Sequence, residues 1–154
     1  MIAPIEIGFT VACEPTRAFE VWTTRTSTWW PVEHTVSAEP GVTVTIEPRP
    51  GGRIYERTPA GVEHEWGEVL DWEPPRRLRY VWHIRRSRSD ATEVEITFTG
   101  DDTATSVSIV HSGWERLGEN GPRWRDANTA GWDGVLPAYR RVCVDVWATE
   151  GEEG

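Results

Sequence analysis

The stretch VEHEWGEVLDWEPPRRLRYVWHIR, residues 62–85, decides the fold of this chain, because apolar and polar side chains alternate along most of it. Alternation with a period of two is typical of a β-strand that buries one face. The EPPR segment at residues 73–76 divides the stretch in two, since consecutive prolines favour a turn. The sequence therefore predicts an antiparallel hairpin.

Each strand of this hairpin has one face that we predict to be buried. In the first strand, apolar positions alternate with glutamate, glycine and aspartate; in the second, they alternate mainly with arginine. The residues predicted to face inward are Val62, His64, Trp66, Glu68, Leu70 and Trp72 in the first strand and Leu78, Tyr80, Trp82 and Ile84 in the second. The inner wall of the sheet is therefore predicted to be aromatic.

Further strands with the same alternation surround the hairpin. They are VTVTIEP at 42–48, GRIYERT at 52–58, TEVEITFTG at 92–100 and TSVSIVHS at 105–112, with a separate first strand within residues 3–12. The links between residues 42 and 113 are short and rich in glycine, proline, aspartate and serine, which is typical of turns. Strands joined in this way form an antiparallel meander, so a sheet of about seven strands is predicted.

Helices are predicted on both sides of the meander. Pro15 suits the first turn of a short helix, and residues 27–31 form a second short helix or turn. From residue 122 to Val146, apolar residues recur every three or four positions, which predicts one long helix. Inside it, Pro137 lacks the N–H that would bond the carbonyl of Asp133, so we expect a kink or a break there.

The order of these elements predicts an α+β fold in which one face of a curved antiparallel sheet is covered by the long C-terminal helix. The chain has 154 residues, which is the usual size of one domain. We expect a single domain over residues 1–148, followed by an acidic tail at 149–154.

Composition excludes several classes of function. The net charge of −9 argues against a nucleic-acid partner, because such proteins carry a basic surface. No stretch approaches the roughly 20 apolar residues of a membrane span, and no secretion signal is recognisable, so we expect a cytoplasmic protein that does not contact membranes. All basic residues except the histidines are arginine, which excludes a Schiff-base lysine and a P-loop. No cofactor is predicted.

The two cysteines and a group of arginines each admit more than one interpretation. Cys13 and Cys143 lack the spacing of a zinc site, and we expect both to be reduced core residues; a mutual disulfide or a reactive thiol are the alternatives. A solvated strand face explains the arginines on and beside the hairpin, with an anion-binding or partner-docking patch as the alternative. These arginines are Arg76, Arg77, Arg79, Arg85, Arg86 and Arg88.

His64 and Glu68 are the candidate catalytic residues, because the strand pattern places both on the inner face with Trp66 between them. Titratable groups in an apolar cavity orient the polar end of a ligand or act as acid and base. The competing explanation places them at the mouth of the sheet, in contact with water. His111 lies at the end of the last strand, where a structural hydrogen bond is expected. Strand neighbours four residues apart are about 13 Å from each other, so we predict no metal site.

The ten tryptophans suggest a pocket between the sheet and the long helix. Much of an aromatic stripe is core, but a subset of rings lies on the two faces that must confront each other, where ligands bind in such architectures. Together with the three polar residues above, the predicted ligand-binding residues are Trp66, Tyr80, Trp82, His64, Glu68, His111, Trp132 and Tyr139.

Four motifs resemble a known superfamily over nearly the whole chain. They are P-T-x-x-F-x-x-W at 15–22, WGEVLDWEPPRRLRYVW at 66–82, TEVEITFTGDDTATSVSIVHSGWERLG at 92–118 and GWDGVL at 131–136. The chain resembles the START-like, helix-grip superfamily (SRPBCC), and within it the family similar to the C-terminal domain of the activator of the 90-kDa heat-shock protein ATPase. The resemblance implies a curved sheet of about seven strands around a C-terminal helix, with two short helices after the first strand.

Three functions are compatible with these features. The leading hypothesis is a binding protein for a hydrophobic or aromatic small molecule, which needs no covalent chemistry. The second is an enzyme of the cyclase or dehydratase kind found in this superfamily, with His64 and Glu68 as acid and base. The third is a protein-interaction module, for example for a chaperone, that uses the arginine-bearing hairpin. Monomer and homodimer are both compatible with the sequence.

Overall fold

A seven-stranded antiparallel sheet organises the structure, a computed structural model that describes residues 2–153, with side chains described for residues 2–143. The strands are β1 (Ile5–Val11), β2 (Thr43–Ile46), β3 (Arg53–Arg57), β4 (Glu63–Glu73), β5 (Arg77–Trp82), β6 (Thr92–Gly100) and β7 (Thr105–Ser112). They lie in the order β1-β7-β6-β5-β4-β3-β2. The predicted meander is confirmed, and β1 extends it beside β7.

The helices are α1 (Pro15–Thr23), α2 (Thr26–Trp29) and α3 (Gly121–Glu153). Helix α3 is continuous past Pro137, so of the kink or break predicted there, the break does not occur. Short 3-10 segments lie at Val32–His34, Arg88–Asp90 and Trp114–Asn120. The side chain of Val146, which belonged to the predicted helical stripe, and those of the predicted acidic tail at 149–154 lie outside the described part of the chain.

Strands β5, β6 and β7 alternate between buried and more exposed residues along their length, as expected for a sheet with one covered face. The inward positions predicted for β5 are confirmed for Leu78, Tyr80 and Trp82, which are at most 5% exposed. Ile84 lies beyond the end of the strand. These three strands form the regular wall against which the helices pack.

The inner face predicted for β4 is wrong in part, because the strand contains two bulges. The pairing with β3 shifts between Ile54 and Tyr55, and the pairing with β5 shifts around Leu70. Each bulge inserts one residue and moves the following side chains to the opposite face. Glu68 therefore lies opposite Arg53 and Val81 on the outer face, and does not share the face of Trp66.

Gly67 directly follows the first bulge and allows β4 to pack closely against β5 at this point. It lies opposite Trp82, and a Cβ atom at this position would come within 2.0 Å of the carbonyl oxygen of Val81. Only glycine allows the β5 backbone to approach so closely. The Trp-Gly pair at residues 66–67 is thus the feature that turns Trp66 inward and Glu68 outward.

Aromatic rings fill the space between the sheet and the helices. Trp22 contacts Trp29 and Tyr139 with ring centroids 5.2 and 4.9 Å apart, and Trp29 lies 5.2 Å from Tyr139. These contacts join α1, α2 and α3 in one cluster. Cys13 and Cys143 are both fully buried, as predicted, and their thiols form a hydrogen-bonded pair.

Glu56 is a fully buried carboxylate on the inner face of β3. It accepts hydrogen bonds from the backbone N–H groups of Val36 (2.5 Å) and Ser37 (2.9 Å) and from the Trp66 indole (2.8 Å). Burial raises the pKa of Glu56, but these donors outweigh burial and leave the pKa below its ordinary value. The carboxylate thereby fixes the segment after α2 to the sheet.

Replacing Glu56 by Gln is expected to lower the free energy of unfolding at pH 7 by about 2–3 kcal/mol, because the amide cannot accept all three N–H groups and carries no charge. Urea denaturation measures the loss. The wild-type contribution is present above the unfolded-state pKa of about 4.3 and disappears as the pH falls through the lower folded-state pKa. The mutant should therefore approach the wild type in acid.

Glu63→Gln is the matched control, since Glu63 is a partly exposed residue of β4 that pairs with Arg53 at 3.1 Å. Surface ion pairs contribute about 0–1 kcal/mol. Equal destabilisation by the two substitutions would contradict the structural role assigned to Glu56.

Candidate functional site

A cleft of about 110 Å³ lies between α3 and the end of β5 and is partly open to solvent. Four indole rings line it, those of Trp30, Trp82, Trp124 and Trp132. The polar or charged side chains in its wall are those of His34, Arg85 and Asn128. An aromatic surface with a few polar groups is typical of a small-molecule site.

The segment after α2 forms one side of the cleft. The Trp30 ring packs 5.0 Å from Trp66 and 5.9 Å from Trp82, and its indole N–H donates to the carbonyl of His34 at 3.1 Å. His34 approaches α3 at Gly134, where a Cβ atom would lie only 2.5 Å from the imidazole Nε2. The absence of a side chain at Gly134 therefore lets the imidazole reach the helix.

A chain of buried hydrogen bonds fixes the opposite side. The Trp132 indole N–H donates to His111 Nδ1 at 3.1 Å, and His111 Nε2 lies 2.7 Å from the Thr92 hydroxyl. With Nδ1 as acceptor, Nε2 carries the proton and donates to Thr92, which in turn donates to the carbonyl of Trp82 at 3.2 Å. The chain connects α3 with β7, β6 and β5.

His111 is neutral in this chain. Burial, together with the positive charge of Arg86, lowers the pKa of His111 to about 3. A neutral imidazole can accept from Trp132 and donate to Thr92 at the same time, whereas an imidazolium cannot accept. The ring orientation of Trp132 at the cleft thus depends on His111 remaining unprotonated.

Two arginines flank the cleft beyond the end of β5. Arg85 has a left-handed backbone (φ +61°), which is uncommon outside glycine, and donates to the carbonyl of Thr35 at 2.7 Å. Arg86 donates to the carbonyls of Trp82 and Asp90, and its guanidinium lies 5.3 Å from the centroid of the Trp124 ring. Burial lowers the pKa of Arg86.

The other arginines of the hairpin are largely neutralised. Arg77 pairs with Glu73 and Glu95, both at 2.6 Å, and Arg79 pairs with Asp71 at 2.6 Å. Further along, Arg88 contacts the carboxylates of Glu65 and Glu68. Arg77, Arg79 and Arg88, three of the six arginines considered as a patch, therefore belong to a ladder of ion pairs on the outer face of the sheet.

The structure brings together only part of the set of ligand-binding residues expected from the sequence. Trp82 and Trp132 line the cleft, and His111 lies directly behind Trp132. Trp66, Tyr80 and Tyr139 are at most 2% exposed and belong to the core. His64 lies opposite Glu56 on β4, away from the cleft, and Glu68 pairs with Arg88 on the outer face.

Sequence reasoning did not assign four aromatic or polar residues of the cleft to a site, namely Trp30, His34, Trp124 and Asn128, and it considered Arg85 only within an anion-binding or partner-docking patch of the hairpin. A signal existed for the two helical ones, because Trp124 and Asn128 begin the same stripe that contains Trp132 and Val135. For Trp30 and His34, no local pattern was available, since they lie in connecting segments, whereas the alternation of the hairpin had placed Arg85 on its outer face. Within the described residues, no group of three or more His, Cys, Asp or Glu is placed to hold a metal ion.

The His111 imidazole is expected not to titrate between pH 8 and 4, and its carbon-bound proton resonances should remain constant in an NMR pH series. Because the unfolded chain binds a proton near pH 6.5 and the folded chain does so only near pH 3, the contribution of His111 to stability is complete above pH 6.5 and decreases as the pH falls. A midpoint near 6.5 for this ring would contradict the hydrogen-bonded chain.

A curved antiparallel sheet, two short helices after β1 and a C-terminal helix across the sheet define the helix-grip class of proteins. The chain belongs to the family described as Activator of Hsp90 ATPase homolog 1-like protein, whose model matches residues 12–137. The predicted family and fold are both confirmed. No helix among the described residues has the length and apolar character needed to cross a bilayer.

Three solved structures illustrate the similarity. The anthrahydroquino-gamma-pyrone synthase Txn09, determined in complex with SUM, is 30% identical over 79% of this chain and 84% of its own, with a TM-score of 0.58. The self-sacrificing resistance protein CalC from Micromonospora echinospora is 23% identical, with coverages of 92% and 94% and a TM-score of 0.68. Bacillus halodurans protein BH1534 is 18% identical, with coverages of 92% and 97% and a TM-score of 0.65. A search of curated proteins gave no match.

Proposed function

We propose that the protein binds a small planar aromatic molecule in the cleft between α3 and the end of β5. The flat faces of four indoles favour a ring system through stacking and apolar burial. His34, Arg85 and Asn128 supply the few polar groups that orient such a ligand.

The observation that carries this proposal is the glycine at position 131. Gly131 lies within α3 and lines the cleft, and a Cβ atom at this position would have no neighbour within 4 Å. Glycine inside a helix costs about 1 kcal/mol relative to alanine. Among the described residues, none packs against the position where a side chain of residue 131 would lie. The free space in front of Gly131 therefore leaves room for a ligand.

The size of the cleft limits which part of a ligand it encloses. An engineered cavity of about 150 Å³ holds one benzene, and the present cleft has about 110 Å³. A single ring edge therefore fits between the indoles, and the remainder of a larger molecule extends through the open side. The similarity to Txn09, whose name is that of a synthase for a fused-ring compound, is in keeping with a ligand of this shape.

Gly131→Leu is expected to reduce the affinity for a naphthalene probe at least tenfold, because its side chain occupies the cleft. Gly131→Ala should raise the free energy of unfolding by up to about 1 kcal/mol through its higher helix propensity. Tryptophan fluorescence during titration with 2-naphthamide measures the affinity, and native mass spectrometry detects a ligand that copurifies.

Ala130→Leu is the matched control, since residue 130 is the exposed neighbour on the same helix and does not line the cleft. It should bind the probe like the wild type. If neither the wild type nor this control binds, or if Gly131→Leu binds unchanged, the proposal is wrong.

Enzymatic activity is the second candidate, favoured by the 30% identity to a synthase. The acid–base pair expected from the sequence is not available, because Glu68 lies on the outer face. His34 is the titratable group of the cleft wall that can transfer a proton, since an arginine does not lose its proton in proteins. The chemistry proposed here is therefore general acid–base catalysis by His34.

An anthrahydroquinone probe, incubated without oxygen, distinguishes the two candidates. Under the enzymatic hypothesis the wild type isomerises a probe that carries an enone side chain: the phenol oxygen adds to the alkene carbon, His34 takes the phenol proton and returns it to the neighbouring carbon, and no group leaves. His34→Gln loses this ring closure at least a hundredfold while it retains most of the affinity. Recovery of the bound probe unchanged from the wild type would favour simple binding. Product analysis by chromatography measures the outcome.

We further propose that residues 1–148 act as a single domain and that residues 149–154 form a tail. The family match over residues 12–137 supports this division, as does the packing of α3 against both α1 and β1.

A further inference from the structure

The charge around the cleft differs from that of the rest of the protein. The whole chain carries a net charge of −9. Among the described residues that line the cleft, none is aspartate or glutamate, and the one permanently charged side chain is that of Arg85. The cleft is thus aromatic and carries one positive charge, although the protein as a whole is acidic.

The charge of Arg85 is available for a ligand, whereas the charges of Arg77, Arg79 and Arg88 are paired with carboxylates. Arg77, Arg79 and Arg88 each pair with at least two carboxylates. Arg85 has no carboxylate partner in the described part of the chain, and its recorded bonds run from one nitrogen to the carbonyls of Glu33 and Thr35. Within residues 2–143, its remaining N–H donors have no protein acceptor.

Arg86 adds to the positive potential from behind the aromatic wall. Its guanidinium is held by neutral acceptors, namely the carbonyls of Trp82 and Asp90 and the hydroxyl of Thr92, and its Nε is buried without an acceptor. The Asp90 carboxylate acts on it electrostatically, but forms no ion pair with it in the described residues. A buried charge with incomplete compensation favours an anion nearby.

The backbone of Arg85 supports a functional role for this position. A left-handed conformation outside glycine costs of order 1 kcal/mol and tends to occur where function requires it. Here the left-handed backbone places the Arg85 side chain between the cleft and residues 33–35, called the His34 segment. The guanidinium binds carbonyl groups of this segment and also lines the cleft.

Resting on the proposed function, we infer that the ligand of the cleft is an aromatic anion, with its ring among the indoles and its carboxylate or phenolate oxygen facing Arg85. Arg85 is the residue that contacts the negative group. Arg86 does not contact the ligand and strengthens the local positive potential.

Three naphthalene probes of nearly equal shape test this inference: 2-naphthoate, 2-naphthamide and 2-naphthylmethylammonium. At low salt, we expect the anion to bind at least fivefold more tightly than the amide, and the cation to bind most weakly. Raising the ionic strength from 0.01 to about 0.5 M should reduce the preference for the anion and leave the affinity of the amide almost unchanged. Tryptophan fluorescence titration measures all three.

Arg85→Gln should remove the preference for 2-naphthoate while the affinity for 2-naphthamide remains within about twofold. Arg76→Gln is the matched control, because it removes the same charge from the turn at the opposite end of β5, about 20 Å away along the strand. This control should retain the full preference. A parallel loss of anion and amide affinity in Arg85→Gln would show that Arg85 only holds the His34 segment, and would overturn the inference.

The possible results separate this inference from the function on which it rests. Equal affinities for anion and amide, or tighter binding of the cation, would refute the anion preference and leave the aromatic-binding proposal intact. Failure of every probe to bind would refute both.

Discussion

Helix α3 is held against the sheet by one buried hydrogen bond, from the Trp132 indole to His111, on which the geometry of the cleft depends. Leaving such an N–H unpaired in the interior would cost about 1–3 kcal/mol, so the rotation of α3 that pairs it is strongly preferred. That rotation also turns Trp124, Asn128 and Gly131 toward the end of β5. The same bond requires a neutral imidazole, and burial beneath α3 keeps His111 in that state.

The large number of tryptophans explains why the site lies at the rim of the sheet instead of its centre. Buried indoles need acceptors for their N–H groups, and several find them locally: Trp29 at the carbonyl of Val21, Trp66 at Glu56 and Trp114 at the carbonyl of His111. Rings satisfied in this way pack against one another and fill the interior. The cleft lies where the helix leaves the end of β5, and connecting segments complete one side of it.

The sequence predicted the fold well because its hydrophobic periods are regular where the structure is regular. Alternation along β5, β6 and β7 and the stripe along α3 were sufficient to predict the sheet, the covering helix and two of the cleft rings, Trp82 and Trp132. The bulges of β4 could not be predicted in the same way, because the alternation of residues 62–72 continues through them and does not reveal the inserted residues at positions 66 and 70. The insertion at position 66 separated Glu68 from His64. Trp30 and His34 were missed for a related reason, since connecting segments have no period that could indicate where a side chain points. Arg85 was assigned to the arginine patch of the hairpin because the alternation was continued beyond Trp82, where β5 ends.

The arginines of the hairpin fall into two groups. Those within β5 form ion pairs that stabilise the sheet, and those beyond its end are available to bind a ligand. Arg77 and Arg79 lie within β5, between β4 and β6, and acidic residues of both neighbouring strands pair with them across the outer face. Arg85 and Arg86 follow the last residue of β5, where the ladder of cross-strand partners has ended, and they turn toward carbonyl groups and the indole of Trp124 instead. Neutral acceptors satisfy the hydrogen bonds of a guanidinium but not its charge. The end of β5 therefore combines an indole-lined cleft with positive charge that no carboxylate of the described residues pairs with, and an aromatic anion is complementary to both.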